Sequence, residues 1–141
     1  MNRYILYSFY TFDMEKVNVF FHVYQKLMKD KIPRLGKAFD EFGIQISLFL
    51  FEWVIALFSN ILSLDVSSRI WDQYLLFGDV HLMKVCLAMS FCLEKQLQEP
   101  SFETLVTMFK SVEKHITPAN LFKAIDSDIK LKEKEYDNLW K

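Results

Sequence analysis

The stretch from Ile44 to Leu64 (IQISLFLFEWVIALFSNILSL) constrains the fold more than any other part of the chain. It is long and apolar enough to suggest a membrane span, and Lys29, Lys31, Arg34 and Lys37 precede it. Its polar residues argue against lipid. On a helical wheel Gln45, Glu52, Ser59 and Ser63 fall in one narrow stripe, with Asn60 at its edge. Glu52 near mid-span would cost about 2.5 kcal/mol or more in a bilayer. A central buried helix with one wet edge accounts for the same letters, so no transmembrane segment is expected.

Composition narrows the class around that helix. The chain has 141 residues, the size of one compact domain or part of a larger one. Hydrophobic residues make up 52% and aromatics 16%, which excludes intrinsic disorder. Three Gly and three Pro cannot supply the reversals of a β-sandwich or barrel, so the expected fold is all-α. A net charge of −1 lacks the basic excess of a protein held to nucleic acid by phosphate contacts. Cys86 and Cys92 are too few for a disulfide scaffold. On one helix they would stand about 9 Å apart, beyond disulfide reach, and they read as buried thiols in a reducing compartment. The opening Met1 to Phe12 (MNRYILYSFYTF) is aromatic and does not read as a secretory leader.

About seven helical segments follow from the apolar periodicity. Asp13 can cap a helix with Val17, Phe20, Phe21, Tyr24, Leu27 and Met28 inward, and Phe12 and Val17 have the spacing of a hydrophobic staple. Pro33 suits a first turn, followed by Leu35, Ala38, Phe39, Phe42 and a terminating Gly43. The central helix runs from about Ser47 to Asn60. Asp65 caps the next, with Val66, Ile70, Trp71, Tyr74 and Phe77 inward and Gly78 at a left-handed C-cap. Asp79 starts an interior helix over Val80 to Leu97. Ser101 precedes the stripe Phe102, Leu105, Val106, Phe109 and Val112, and Thr117-Pro118 opens a helix through Leu121, Phe122 and Ile125. The unit is expected to span 1–126, with 127–141 a charged helix or tail. The aromatic start (Tyr4, Ile5, Leu6, Tyr7, Phe9, Tyr10, Phe12) is either an exposed association surface or folded onto the chain's own core.

Local sequence holds no self-contained active site. His22, His81 and His115 have no metal-ligand spacing and read as surface or interface residues. The three glycines are isolated, so there is no phosphate loop, and neither Cys has a nucleophile motif around it. Asp40, Glu41 and Glu52 stand amid aromatic sequence with no sign that they share a cleft. From Trp53 to Asp72 the chain reads WVIALFSNILSLDVSSRIWD, where Asp65 and Asp72 flank Arg69 at helical spacing. That favours a helix-pinning ion pair beside a buried Trp71 over an arginine directed at a phosphate.

These residues resemble the second half of a TBC domain, the Rab GTPase-activating fold. The resemblance rests on Trp53, Leu57-Phe58-Ser59, Leu62-Ser63-Leu64, Arg69-Ile70-Trp71-Asp72 and Gly78. Upstream, Ile32-Pro33-Arg34-Leu35 and Phe42-Gly43-Ile44 are similar to the family's approach to this tryptophan. Downstream, Leu82 to Leu97 resembles its long apolar helix, with Glu94 and Leu97 near the end. The likeness covers about Met14 to Asp126, and it marks Trp53, Phe58, Arg69, Trp71, Asp72 and Gly78 as structural motif residues.

The resemblance implies an activator that acts on a small GTPase of the Rab class and is not itself an enzyme. It implies no cofactor of its own, a cytoplasmic setting in vesicle trafficking, and peripheral contact with endomembranes as an open question. Such domains insert an arginine, which offsets charge developing on the phosphoryl group, and a glutamine, which positions water; an arginine given in trans is worth about 10³–10⁵ in rate. The family carries these in Ile-x-x-Asp-x-x-Arg and Tyr-x-Gln, and neither motif is in this chain. Arg34 has Lys31 at the Asp position, Arg69 has Val66, and Arg3 has no such position. Gln25, Gln45, Gln73, Gln96 and Gln98 follow Val, Gly, Trp, Glu and Gln two residues earlier. The expected function is therefore scaffold and part of the GTPase-binding surface, inactive alone. The alternative is a non-catalytic helical protein-interaction module. Exposed apolar surface would serve self-association or contact with the earlier TBC half.

Overall fold

The computed structural model describes residues 5–45, 47–56, 58–59 and 62–140, with all their side chains but that of Leu48. The expectations for Arg3, Tyr4, Leu57 and Asn60 lie outside the described residues. Among the described residues every regular element is helical: α1 (Ile5–Tyr10), α2 (Met14–Lys31), α3 (Pro33–Phe42), α4 (Ser47–Ile55), α5 (Leu64–Phe77), α6 (Asp79–Gln96), α7 (Phe102–Lys110), α8 (Pro118–Lys123) and α9 (Glu133–Leu139). A 3₁₀ turn at Val112–Lys114 and a π-helical turn at Ala124–Asp128 join the last three. The all-α expectation holds, with α1 and α9 added to the seven segments.

The axis of the bundle is α6, whose Leu82, Met83, Val85, Leu87, Ala88, Met89 and Leu93 are all buried. Burial on every side explains why this helix has no polar face to read in its sequence. Helix α2 packs against α1, α3 and α6, while α6 also meets α5, α8 and the π-helical turn. Gly36 lets α3 approach α2 closely, since a Cβ there would stand 2.9 Å from Lys29 Cγ. Across the α2–α6 contact, buried Tyr24 donates its hydroxyl to Ser90, and Ser90 Oγ donates to the Cys86 carbonyl at 2.9 Å. Each buried hydroxyl is thereby satisfied.

Two aromatic clusters flank this axis. Phe109 of α7 sits at the centre of one, stacked on Trp53 (5.6 Å, 9°) and touching Phe39 (5.1 Å) and Phe49 (5.4 Å). It ties α3, α4 and α7 together, and Trp53 keeps 1% of its surface exposed. The other centres on Phe9 of α1, which meets Phe20 at 5.7 Å, Phe21 at 5.9 Å and Phe51 at 5.5 Å. The wet edge is real: Gln45, Glu52, Ser59 and Ser63 are exposed, and no helix among the described residues is long and apolar enough to cross a membrane.

Several local expectations change. Helix α4 stops at Ile55 rather than Asn60, because the chain turns to bury Phe58 completely in a left-handed conformation (φ 66°), its N–H reaching the Trp53 carbonyl at 2.7 Å. Ser63, not Asp65, caps α5, accepting from the Val66 N–H at 3.3 Å. Phe12 is exposed at the α1–α2 turn and stacks on Phe51. Phe77, expected inward, is 59% exposed at the last turn of α5. The aromatic start folds back, with Ile5 and Phe9 buried while Tyr7 and Tyr10 stay exposed. Beyond Asp126, Ile129, Leu131 and Tyr136 join the same buried core.

Candidate functional site

The residues singled out by sequence lie along one ribbon: the end of α4, the link to α5, α5 itself and the corner into α6. Trp53 is buried on α4 and Phe58 is buried in the link, joined by the backbone bond described above. Arg69 is exposed on α5, with its guanidinium carbon 3.9 Å from the centre of the Phe122 ring. No ion pair joins it to Asp65 or Asp72 among the described residues; the ring of α8 takes the place of the expected carboxylates. Trp71 is half-buried, and Asp72 is exposed.

Gly78 forms the corner with φ 79° and ψ −160°, a region open almost only to glycine and distinct from the left-handed cap expected there. The turn it permits brings Asp79 against α5 and α1. Tyr74 donates its hydroxyl to Asp79 Oδ1 at 2.9 Å, and the Ile5 N–H donates to Asp79 Oδ2 at 3.2 Å. Burial, then the Asp79 charge, raises the Tyr74 hydroxyl above the ordinary tyrosine value. One turn on, His81 Nε2 pairs with Gln73 Oε1 at 2.9 Å, and its ring lies 5.6 Å from that of Phe77. His81 is therefore buried rather than a surface residue, and burial with the nearby Lys84 lowers its pKa to about 4, against the pull of Asp126.

A second meeting joins segments far apart in the sequence. Arg34, at the start of α3, donates to Glu94 Oε1 at 2.9 Å and to the carbonyls of Leu97 and Gln98 at 3.0 and 3.1 Å. The arginine so closes the end of α6, where carbonyls lack helical partners. The role of Asp79 went unread in sequence because its partners on α1 and α5 are set by the fold; its place just after a glycine was the one available signal.

The described residues hold no assembled catalytic centre. They contain no group of three His, Cys, Asp or Glu able to hold a metal ion. Burial pushes the Cys86 thiol far up and the Cys92 thiol to about 11, so neither is an activated nucleophile. A groove of about 260 Å³ runs between the start of α5 and α8, lined by Leu62, Val66, Ile116, Pro118 and Leu121. Its lining is mostly apolar, with Ser63, Glu113 and Thr117 as its polar members. What the ribbon offers is a helical surface.

Comparison with known proteins agrees with this architecture. The Rab-GTPase-TBC domain family matches residues 1–98. Drainin of Dictyostelium discoideum is 31% identical over 108 residues, covering 76% of this chain and 24% of that protein. TBC1 domain family member 12 of Xenopus tropicalis is 23% identical and member 14 of Homo sapiens 22%, each over 125 residues, 89% of this chain and 18% of the relative. The chain thus spans a quarter or less of the length of these relatives. No solved structure matches it. The motif order along α3 to α6 and the family match over most of the chain lead to one assignment: the chain belongs to the Rab-GTPase-TBC domain family.

Proposed function

We propose that the chain is the later helical part of a Rab-type GTPase-activating domain, giving scaffold and part of the GTPase-binding surface. It does not accelerate hydrolysis alone. The observation that carries this reading is the state of its arginines. Among the described residues there are two: Arg34 is held by Glu94 and two carbonyls, while Arg69 rests on the Phe122 ring and, like Arg34, stands outside the arginine motif. A residue that must reach a transferring phosphoryl group has to be free to enter another protein's site. The absence of Ile-x-x-Asp-x-x-Arg and Tyr-x-Gln points the same way. The TBC-like unit is read as 1–126, with 127–141 as a charged C-terminal segment that contains α9, acting in the cytoplasm and at the periphery of endomembranes.

GTP hydrolysis across a panel of Rab GTPases tests the reading, with this chain and with an upstream-extended form carrying the two motifs. The extended form should accelerate hydrolysis and this chain should leave it at the intrinsic rate. Acceleration by this chain alone overturns the proposal.

One observation favours a second reading, a non-catalytic interaction module. Leu75, Leu76 and Phe77 are 81%, 78% and 59% exposed at the tip of α5. Three consecutive helical residues span about 200° of the helix, so more than half of its last turn is open apolar surface. Contact with an earlier TBC half or with another copy would cover it. Tight GTPase binding with no acceleration, even by the extended form, would select this second reading.

A further inference from the structure

The link between α1 and α2 is short and strained, while α1 itself is firmly held. Helix α1 ends in a Schellman-type turn: the Asp13 N–H reaches back to the Ser8 carbonyl at 2.9 Å, and the Phe12 N–H to Phe9 at 3.3 Å. Phe12 occupies the left-handed position at φ 56°, the place helices usually give to glycine. Its Cβ crowds the following carbonyl there, and the ring recovers little, being 65% exposed beside Phe51. By contrast, Ile5 and Phe9 are buried, the Ile5 N–H is held by Asp79, and the Tyr10 hydroxyl donates to the Ile55 carbonyl at 2.8 Å.

A well-fitted element on a short, strained hinge is the arrangement that invites exchange between copies. We propose that two copies of this chain exchange α1. The hinge at Thr11–Asp13 extends, and each α1 enters the site formed by Phe20, Phe21, Phe51 and Asp79 of the other copy. The α1 contacts with Phe20, Phe21, Phe51, Ile55 and Asp79 are kept, the turn bonds to the Ser8 and Phe9 carbonyls pass to water, and the strain at both Phe12 residues is released. The occupant is a second copy because this site is already complementary to α1, down to the carboxylate that receives its first amide. A net charge of −1 sets little repulsion between copies. The proposal is independent of the GTPase-activator reading.

Size-exclusion chromatography with light scattering, after refolding over a range of concentrations, tests it. The wild-type chain should give a concentration-dependent dimer. Phe12→Gly relaxes the closed hinge, by about tenfold per hinge, and should weaken the dimer about a hundredfold. Deleting Thr11 and Phe12 removes the length needed to turn back and should leave dimer alone. The double variant Leu75→Glu, Leu76→Glu should leave dimerisation unchanged. A wild-type chain that stays monomeric throughout, or a dimer indifferent to Phe12→Gly, or one abolished by the α5-tip charges, overturns the proposal. Should the deletion variant fail to fold, the Phe12→Gly comparison still decides.

Discussion

Arg69 on α5 lies over the ring of Phe122 on α8, its guanidinium carbon 3.9 Å from the ring centre. The contact pins together two helices that are more than forty residues apart in the chain, through the first residue of Arg69-Ile70-Trp71-Asp72. Its value is modest, because Arg69 is exposed and Phe122 supplies only one face. Arg69→Ala should lower stability by about 0.5–1 kcal/mol in chemical denaturation. It should leave GTP hydrolysis by the upstream-extended form unchanged in rate. A loss of hydrolysis without loss of stability would give Arg69 a direct role and defeat the structural assignment.

Trp53 should be far more costly to remove. It is fully enclosed, stacked on Phe109, and so shares the aromatic cluster that joins α3, α4 and α7. Trp53→Ala should destabilise the fold by about 3–5 kcal/mol, read as a shift in the denaturation midpoint. A change under 1 kcal/mol would mean that the cluster does not hold these helices together.

His81 makes stability depend on pH in one direction. Its pKa is about 4 in the fold against 6.5 unfolded, because burial and Lys84 disfavour the imidazolium. The unfolded chain therefore binds the extra proton first as pH falls. The stability tied to neutral His81 is fully present above pH 6.5 and is lost progressively down to about pH 4. His81→Gln should gain on the wild type across that window in thermal denaturation, whatever its cost at pH 7.5. A difference that stays flat with pH would remove His81 as the cause.

Gly43 and Gly78 both have positive φ but should respond differently to substitution. Gly43 is left-handed (φ 65°, ψ 29°) with nothing within 4 Å of an added Cβ, so Gly43→Ala should cost about 1 kcal/mol and Gly43→Asn less. Gly78, at ψ −160°, is outside the region asparagine tolerates; both Gly78→Ala and Gly78→Asn should cost more, about 1–3 kcal/mol. Melting curves of the four variants compare the two corners. Equal rescue by asparagine at both would contradict the backbone assignment.

Much of the architecture was legible in the chain. The stripes over α2, α3 and α8 and the prolines at the starts of α3 and α8 appear where the periodicity places them, while Phe102 of the α7 stripe is exposed and Asp13 makes no side-chain cap bond. The candidate ribbon was legible as residue types in order. Its contacts were not: Arg69 was read against Asp65 and Asp72, which share its helix, and it chose a ring on α8.

The sequence by itself determined the helical class, the interior course of α6 and the wet edge beside Glu52, because each follows from residue types within the chain's own segments: few turn formers, an apolar run without a polar face, and one polar stripe. Only the tertiary structure decided that Ile5–Tyr10 forms a helix, since a six-residue helix does not persist alone and this one takes its first cap from Asp79, 74 residues away. The same holds for the outward turn of Phe77 and the pairing of Arg34 with Glu94. These depend on where helices meet, and meeting points are fixed by the shape of the packed core rather than by spacing along the chain.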